Sequence, residues 1–407
     1  MTRRAAVLVG LLSASASCSP PLQSGGVIVV DGAAARLGAM CRWRSGGHDE
    51  LCPAAAPSAP SAKVRRLEGG AEEGLSGALA GGKAGDYLLE NDQIAVIIEQ
   101  LGRVEGGGHL IDAADAGRRR DELERVATYL GRAAGQALYK ELTTGRDDEG
   151  TAWVEARGHV AGDESLVIAT RYSLRPADRA VLLSTTLENR GAQPSMRLEL
   201  GDAVRWGGTL LVAPRCVPGC PGPYVGPYLA GIGTDTAYVL IPVEATALQA
   251  STDAGESEIS LTHREHLPPG ERLVYERVLA VAPRGDSAGV ATELLVLGGG
   301  MPGGLDVELT DIGGEALAAV HGRVLLTPIA PEGQAVLDDI PLWLKASAEP
   351  ARNLEGQAAR PLKVGGEVPP GAYRLGFEGE GRRANEETSV IIRAGEVTRA
   401  KLALTGP

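Results

Sequence analysis

The chain is expected to be mainly all-β, with two sandwich-type domains and one or two short helices. Three observations predict this. Its 407 residues include 56 glycines and 25 prolines, the turn formers that many short strands require. Apolar residues alternate at period two through long stretches, as in Ser165 to Leu174 and Ala180 to Asn189. The length is enough for two domains with sizeable cores.

Composition narrows the function. A net charge of −12 disfavours nucleic acid and anionic membrane surfaces as general partners. Aromatic residues make up only 3%, which counts against a carbohydrate surface built from flat aromatic platforms. The five cysteines are Cys18, Cys41, Cys52, Cys216 and Cys220. The last four pair by proximity, Cys41 with Cys52 and Cys216 with Cys220, which suits an oxidising compartment.

Residues 1–17 read as an export signal. Arg3-Arg4 is followed by a short apolar run, Ala5 to Leu12, too short to span a bilayer. Ser15-Ala16-Ser17-Cys18 resembles a bacterial lipobox, which makes Cys18 the expected lipid anchor and the membrane a partner through that lipid. Ser15 stands where a Leu is usual, so the alternative is ordinary cleavage and secretion as a soluble protein. Ser19 after the anchor suggests an outer-membrane lipoprotein facing the periplasm or the exterior. Residues 18–62 are expected to be a tether and linker, ending in the Pro/Ala/Ser-rich stretch Pro53 to Ala62. A metal site using His48 and Asp49 with Cys41 and Cys52 is the alternative to a disulfide there, but the spacing matches no zinc pattern.

Residues 63–297 are expected to form the large domain, organised around Gly82 to Ala116. Tyr87-Leu88-Leu89 is extended in character, and Glu90-Asn91-Asp92-Gln93 is turn chemistry. Ile94 to Ile98 is apolar on both faces and rich in β-branched residues, as in a strand covered on both sides. Gly106-Gly107-Gly108 lets the backbone turn or pass close to something, and His109-Leu110-Ile111-Asp112 resumes the apolar pattern. A ligand rim of Asp92, His109 and Asp112 is one reading. A hairpin and bulge with locally satisfied polar groups is the preferred one.

Leu123, Val126, Ala127 and Leu130 recur at helical spacing, which predicts a helix from Asp121 to Ala134. Strands follow. In Ser165 to Leu174, Leu166, Ile168, Tyr172 and Leu174 share a face; in Ala180 to Asn189, Val181, Leu183, Thr185 and Leu187 do. Met196, Leu198 and Leu200 continue the pattern. Asp202, Arg205 and Trp206 are the second candidate rim, because Trp and Arg are favoured contact residues; core packing of Trp206 is the equal alternative. His263 and His266 flank Glu265, but two histidines three apart point to opposite faces of a strand, so no metal site is assigned. Ser287 is expected to cap a helix from Ala288 to Leu297. Gly298, Gly300 and Gly303 have the GxGxxG spacing without a βαβ unit, and read as a hinge.

Residues 305–407 are expected to form a smaller β-sandwich. Tyr373, Leu375 and Phe377 face one way, Arg374 and Glu378 the other, and Ala400, Leu402 and Leu404 alternate with Arg399 and Lys401.

Two family resemblances can now be given. The segments GKAGDYLLENDQIAVIIE, GGHLIDAAD, TTLENRG, GDAVRWGG and LPPGERLVYERVLAV resemble the amino-terminal, non-catalytic region of bacterial envelope proteins that continue into PHP-type (CehA/McbA-like) metallohydrolase domains. That region is similar to galactose-mutarotase-like supersandwiches, so the resemblance implies a β-supersandwich over residues 63–297. His109 departs from the expected GGNLID. VPPGAYRLGFEGEG followed by IIRAGEVTRAKLAL resembles carboxypeptidase-regulatory-like domains of prealbumin or Ig type. The sequence ends at Pro407, where the metallohydrolase domain would begin, and its metal-binding motifs are not found, so that activity is not expected to carry over. The expectation is a non-catalytic binding or scaffold module for a glycan, an envelope polymer or an envelope protein, with no cofactor, no metal site and no catalytic residue assigned. The alternative is a sugar-modifying enzyme of mutarotase-like or lyase-like type, using His109, or His159 with Glu155, as its acid–base groups.

Overall fold

A computed structural model describes residues 61–406, except 70–72, 103–105, 132–136, 196–197, 208–210, 214–223, 244–247, 254–255, 265, 316, 318–319, 330–340 and 348–361. The export signal, Cys18, the tether and all four remaining cysteines fall outside the described residues.

The chain opens with β1 (Lys63–Arg66), β2 (Tyr87–Glu90), β3 (Ile94–Ile98), β4 (Leu110–Asp115) and β5 (Arg125–Leu130). A meander follows: β6 (Ala137–Arg146), β7 (Ala152–Val160), β8 (Asp163–Leu174) and β9 (Ala180–Asn189). Then come β10 (Leu198–Arg205), β11 (Leu211–Ala213), β12 (Tyr224–Gly226), β13 (Leu229–Ile232), β14 (Ala237–Pro242), β15 (Leu248–Asp253), β16 (Glu256–Arg264) and β17 (Arg272–Ala282). The helix α1 (Ser287–Leu297) leads to β18 (Gly303–Asp311), β19 (His321–Pro328), β20 (Trp343–Ser347), β21 (Leu362–Val368), β22 (Gly371–Gly379), β23 (Arg382–Ala384), β24 (Thr388–Ile392) and β25 (Val397–Thr405).

Two large sheets face one another. One has nine strands in the order β1-β2-β3-β4-β5-β10-β16-β15-β12; the other has eight, β11-β13-β14-β17-β9-β8-β7-β6. Their facing sides enclose Leu89, Val96, Val154, Tyr172, Trp206 and Leu279 in one apolar cluster. This is the supersandwich, and the alternation of the sequence sets its inner and outer faces. Leu166, Ile168, Tyr172 and Leu174 are buried, as are Val181, Leu183, Thr185 and Leu187, while the residues between them along each strand are partly or fully exposed apart from Thr170. The third sheet, β20-β19-β22-β23-β25-β18-β21, carries β24 on β22, and β18 and β25 run parallel. Thr398 Oγ1 donates to Ile391 O at 3.0 Å, tying β25 to β24 around the C-terminal core.

Gly82 to Ala116 folds as its residues suggest. Asn91 Oδ1 accepts from the Gln93 and Ile94 amides at 2.8 Å each, closing the β2–β3 turn. Its Nδ2 donates to Arg175 O and Asp178 O, clamping that turn to the β8–β9 hairpin. Gly106, Gly107 and Gly108 all have positive φ, and a Cβ on Gly107 would fall 2.1 Å from Gln100 O.

The first predicted helix is corrected. Arg125–Leu130 is a strand, in register with β10 from Leu200↔Leu130 to Arg205↔Arg125. All six of its residues are buried, so apolar residues occur on both faces, and Val126, Ala127 and Leu130 together imitate a helical stripe. Among the described residues α1 is the single helix. Its N-cap is Asp286, whose side chain accepts from Gly289 N, so Ser287 is its first residue rather than its cap. Ten of the eleven α1 residues are buried, the pattern of a helix enclosed on every side.

That enclosure joins the two lobes. One apolar cluster runs from Val239 and Ile241 of β14, through Val290 and Leu294 of α1, to Leu305 and Val307 of β18. Arg179 holds Glu367 of β21 through two hydrogen bonds of 2.7 and 2.8 Å, and Arg284 Nη2 donates to Glu367 O at 2.8 Å. The Gly298–Gly303 stretch expected as a hinge therefore connects bodies that share a core and a buried ion pair. No helix among the described residues is long and apolar enough to cross a membrane.

Candidate functional site

The residues first singled out do not assemble into one rim. Asp92 is exposed in the β2–β3 turn. His109 is fully buried, its ring edge-on to Tyr139 with centroids 5.3 Å apart. Asp112 is fully buried and accepts from the Gly81 and Gly82 amides at 2.8 Å each, so it pins the approach to β2. Arg205 is partly exposed at the end of β10. Trp206 is fully buried and donates Nε1–H to Ser257 Oγ at 2.7 Å, which makes it core packing, not a contact surface.

Asp202 proves to be the anchor of a polar row inside the sandwich. Its Oδ2 accepts from Tyr275 OH at 2.5 Å and Arg277 Nε at 2.9 Å, and Arg277 Nη2 reaches Oδ1. Arg277 Nη1 donates to Thr185 Oγ1 at 2.7 Å. Thr185 meets Thr170 at 3.0 Å, and Thr170 meets Tyr139 OH at 2.7 Å. Burial, aided by the Asp202 charge, pushes the Tyr275 hydroxyl well above its usual range. The row links β10 of one sheet to β17, β9, β8 and β6 of the other, and its groups satisfy one another. It fixes the sandwich from within: Asp202, Thr170 and Thr185 are fully buried and Arg277 is 1% exposed.

The histidines stand apart. His159 is on the outer face of β7, with Nδ1 3.1 Å from Val160 O. Glu155, four residues before it on the same face, is held by Arg157 at 3.0 Å and Arg171 at 2.9 Å. At a strand rise of about 3.3 Å the two are separated by about 13 Å along β7. His266 is exposed with Nδ1 2.8 Å from Ser195 O, and His321 opens β19. The side chain of His263 falls outside the described residues. Among the described residues no three of His, Cys, Asp and Glu converge in a way that could hold a metal.

Open clefts are found elsewhere. One of about 520 Å³ sits where the β13–β14 turn meets β19, β20 and β22. Gly233, Thr234, Arg323, Trp343, Lys345 and Glu378 line it. The register that builds it is direct: Arg323 opposes Lys345 on β20 and Glu378 on β22. The Arg323 guanidinium stacks on the Trp343 ring, 4.6 Å from its centroid. Trp343 is held from behind, its amide donating to Ser287 Oγ of α1 at 2.8 Å, and Lys345 Nζ donates to Thr234 O at 2.5 Å. A second cleft of about 370 Å³ lies on the outer face of the eight-stranded sheet, with Ala180, Leu182, Val278 and Leu297 among its apolar lining and Asp147 and Glu276 among its polar groups.

The junction cleft is not legible in the sequence. The outward orientation of Glu378 was legible from alternation, but Arg323, Trp343 and Lys345 join it only through strand register.

No family model and no curated protein matches the sequence. Among solved structures, a galactose mutarotase-like protein from Lactobacillus casei aligns with 48% of this chain and all of its own, at 12% identity and a TM-score of 0.33. A galactose mutarotase-like protein from Clostridium acetobutylicum aligns with 49% of this chain and 95% of its own, at 10% identity and a TM-score of 0.32. A polysaccharide lyase aligns with 75% of this chain and 47% of its own, at 12% identity and a TM-score of 0.30. At scores this low the likeness says nothing about chemistry.

Proposed function

We propose that this chain is a non-catalytic binding or scaffold module of the cell envelope, which presents an open cleft to a glycan or envelope polymer. One observation carries the reading: the acid–base candidates are dispersed. His109 is fully buried, and Glu155 is engaged by two arginines away from His159. Polar groups with free access gather instead at the junction cleft, whose volume falls in the ordinary range of ligand sites. Anchoring by a lipid on Cys18, and a place on the outer membrane facing the periplasm or exterior, complete the proposal. So does kinship with the amino-terminal region of the PHP-type envelope proteins and with carboxypeptidase-regulatory-like domains; both rest on the sequence motifs.

A thermal-shift screen of the full mature chain against neutral and acidic oligosaccharides and envelope polymer fragments tests the reading. A ligand at a hundred times its dissociation constant adds about 2.7 kcal/mol of stability. A saccharide that raises the melting temperature and is recovered unchanged supports the module; no shift across the panel removes the glycan and leaves a protein partner to be sought by cross-linking.

A further inference from the structure

We infer that the junction cleft recognises a carboxylate-bearing saccharide, with the acid group seated between Arg323 and Lys345. The inference rests on the binding-module reading and narrows it to a ligand class. Arg323 and Lys345 are direct cross-strand partners on one face of the third sheet. Like charges directly opposite one another destabilise a sheet pair unless something between them carries the opposite charge. Glu378, on the other side of Arg323, makes no ion pair with it within 4.0 Å, although the register sets the two side by side.

The arginine is prepared for a planar anion. Its guanidinium is oriented by the Trp343 ring and makes no hydrogen bond or ion pair among the described residues, so its N–H fork points to the cleft unused. A fork held flat on an aromatic ring suits bidentate binding of a carboxylate, and the stacking reduces the entropy lost on binding. Lys345 spends one N–H on Thr234 O, which fixes its ammonium in place and leaves two donors. Glu378 supplies acceptors for neighbouring hydroxyls. A cationic pair beside one carboxylate thus matches a sugar acid: one negative group and several hydroxyls. In a chain of net charge −12 it is also a local reversal of sign, so selection falls on short acidic saccharides that fit the cleft.

The test is isothermal titration of the full mature chain with a short uronic-acid oligomer, the neutral oligomer of the same linkage, and inorganic phosphate. The acidic oligomer is expected to bind at least tenfold more tightly than the neutral one, weakening as salt rises, and Arg323→Gln is expected to lose tenfold or more while its melting temperature stays unchanged. Arg323→Lys, which keeps the charge without the fork, is expected to recover only part of that loss. Equal binding of the neutral oligomer, unaffected by Arg323→Gln, would overturn the inference while the binding-module reading survives. Phosphate binding as tightly as the acidic oligomer would reduce the cleft to a simple anion site and also overturn it. No binding of either oligomer would overturn the inference, and the binding-module reading would then stand or fall on the wider thermal-shift screen and the cross-linking.

Discussion

Raising the pH should loosen the first sheet through one carboxyl group. Asp121 sits just before β5, where its Oδ1 accepts from Ala113 N at 2.8 Å and Leu123 N at 3.2 Å, and Tyr238 OH of β14 lies 3.2 Å from it. Its Oδ2 is buried and has no hydrogen-bond partner. Burial, reinforced by the neighbouring Asp112 carboxylate, pushes Asp121 up to about 8 from an ordinary 3.8. The other groups facing it do not compensate: Tyr238 is held well above its usual range by burial, and Glu122 is committed to the amides of Thr234, Asp235 and Thr236. Because the folded value lies above the unfolded one, the proton on Asp121 favours the folded state fully below pH 3.8, and that contribution is lost as pH rises through 8. Between pH 6 and pH 9 the loss is about 2.5 kcal/mol, which corresponds to a fall of about 3–5 °C in melting temperature for a cooperative unit of this size. Asp121→Asn keeps an acceptor at Oδ1 and cannot ionise. Melting followed by circular dichroism at closely spaced pH values should show the native chain falling by that amount relative to Asp121→Asn. Parallel curves for the two proteins would refute the reasoning, since Asp121 would then not bind its proton more tightly when folded.

Two further outcomes concern buried ion pairs. Asp202→Ala strands Arg277, which is 1% exposed, and should cost about 3–5 kcal/mol in urea unfolding, whereas Asp202→Leu combined with Arg277→Met should recover much of that loss; a double-variant loss equal to the sum of the two single losses would show that the two residues are not coupled. Glu367→Ala removes both hydrogen bonds of Arg179 and leaves it only Glu293 at 3.9 Å, with a cost of about 2–4 kcal/mol, and should expose the 298–303 connection to limited proteolysis; an unchanged digestion pattern would mean that the shared apolar core and the bonds to the Glu367 carbonyl hold the lobes without this ion pair.

What could be read in advance follows from the range of each interaction along the chain. The β8–β9 hairpin was legible because alternation is local: Ile168 and Leu183 face inward for reasons contained in their own strands. The β2–β3 turn was legible because Asn91 bonds amides only two and three residues away. Leu123, Val126, Ala127 and Leu130 misled because a strand buried on both faces carries apolar residues at odd and even positions alike, and these fall by chance at helical spacing. Asp202 and Trp206 were sound as exceptional residues but not as a rim. Their partners, Arg277 and Ser257, come 75 and 51 residues later: Arg277 meets Asp202 only because two sheets face each other, and Ser257 meets Trp206 only because β16 pairs with β10. The junction cleft was hidden for the same reason, since a one-residue slip between β19 and β20 would move Arg323 away from Lys345.

Binding without conversion is the central claim, and nuclear magnetic resonance of a saccharide panel incubated with the full mature chain tests it most directly, by reporting line broadening and any new anomer, epimer or cleavage product in one spectrum. The expected result is broadening of an acidic saccharide whose signals stay otherwise unchanged over hours. Accumulation of a product, abolished by His159→Ala with the fold intact, would contradict it and establish an enzyme on the outer face of β7.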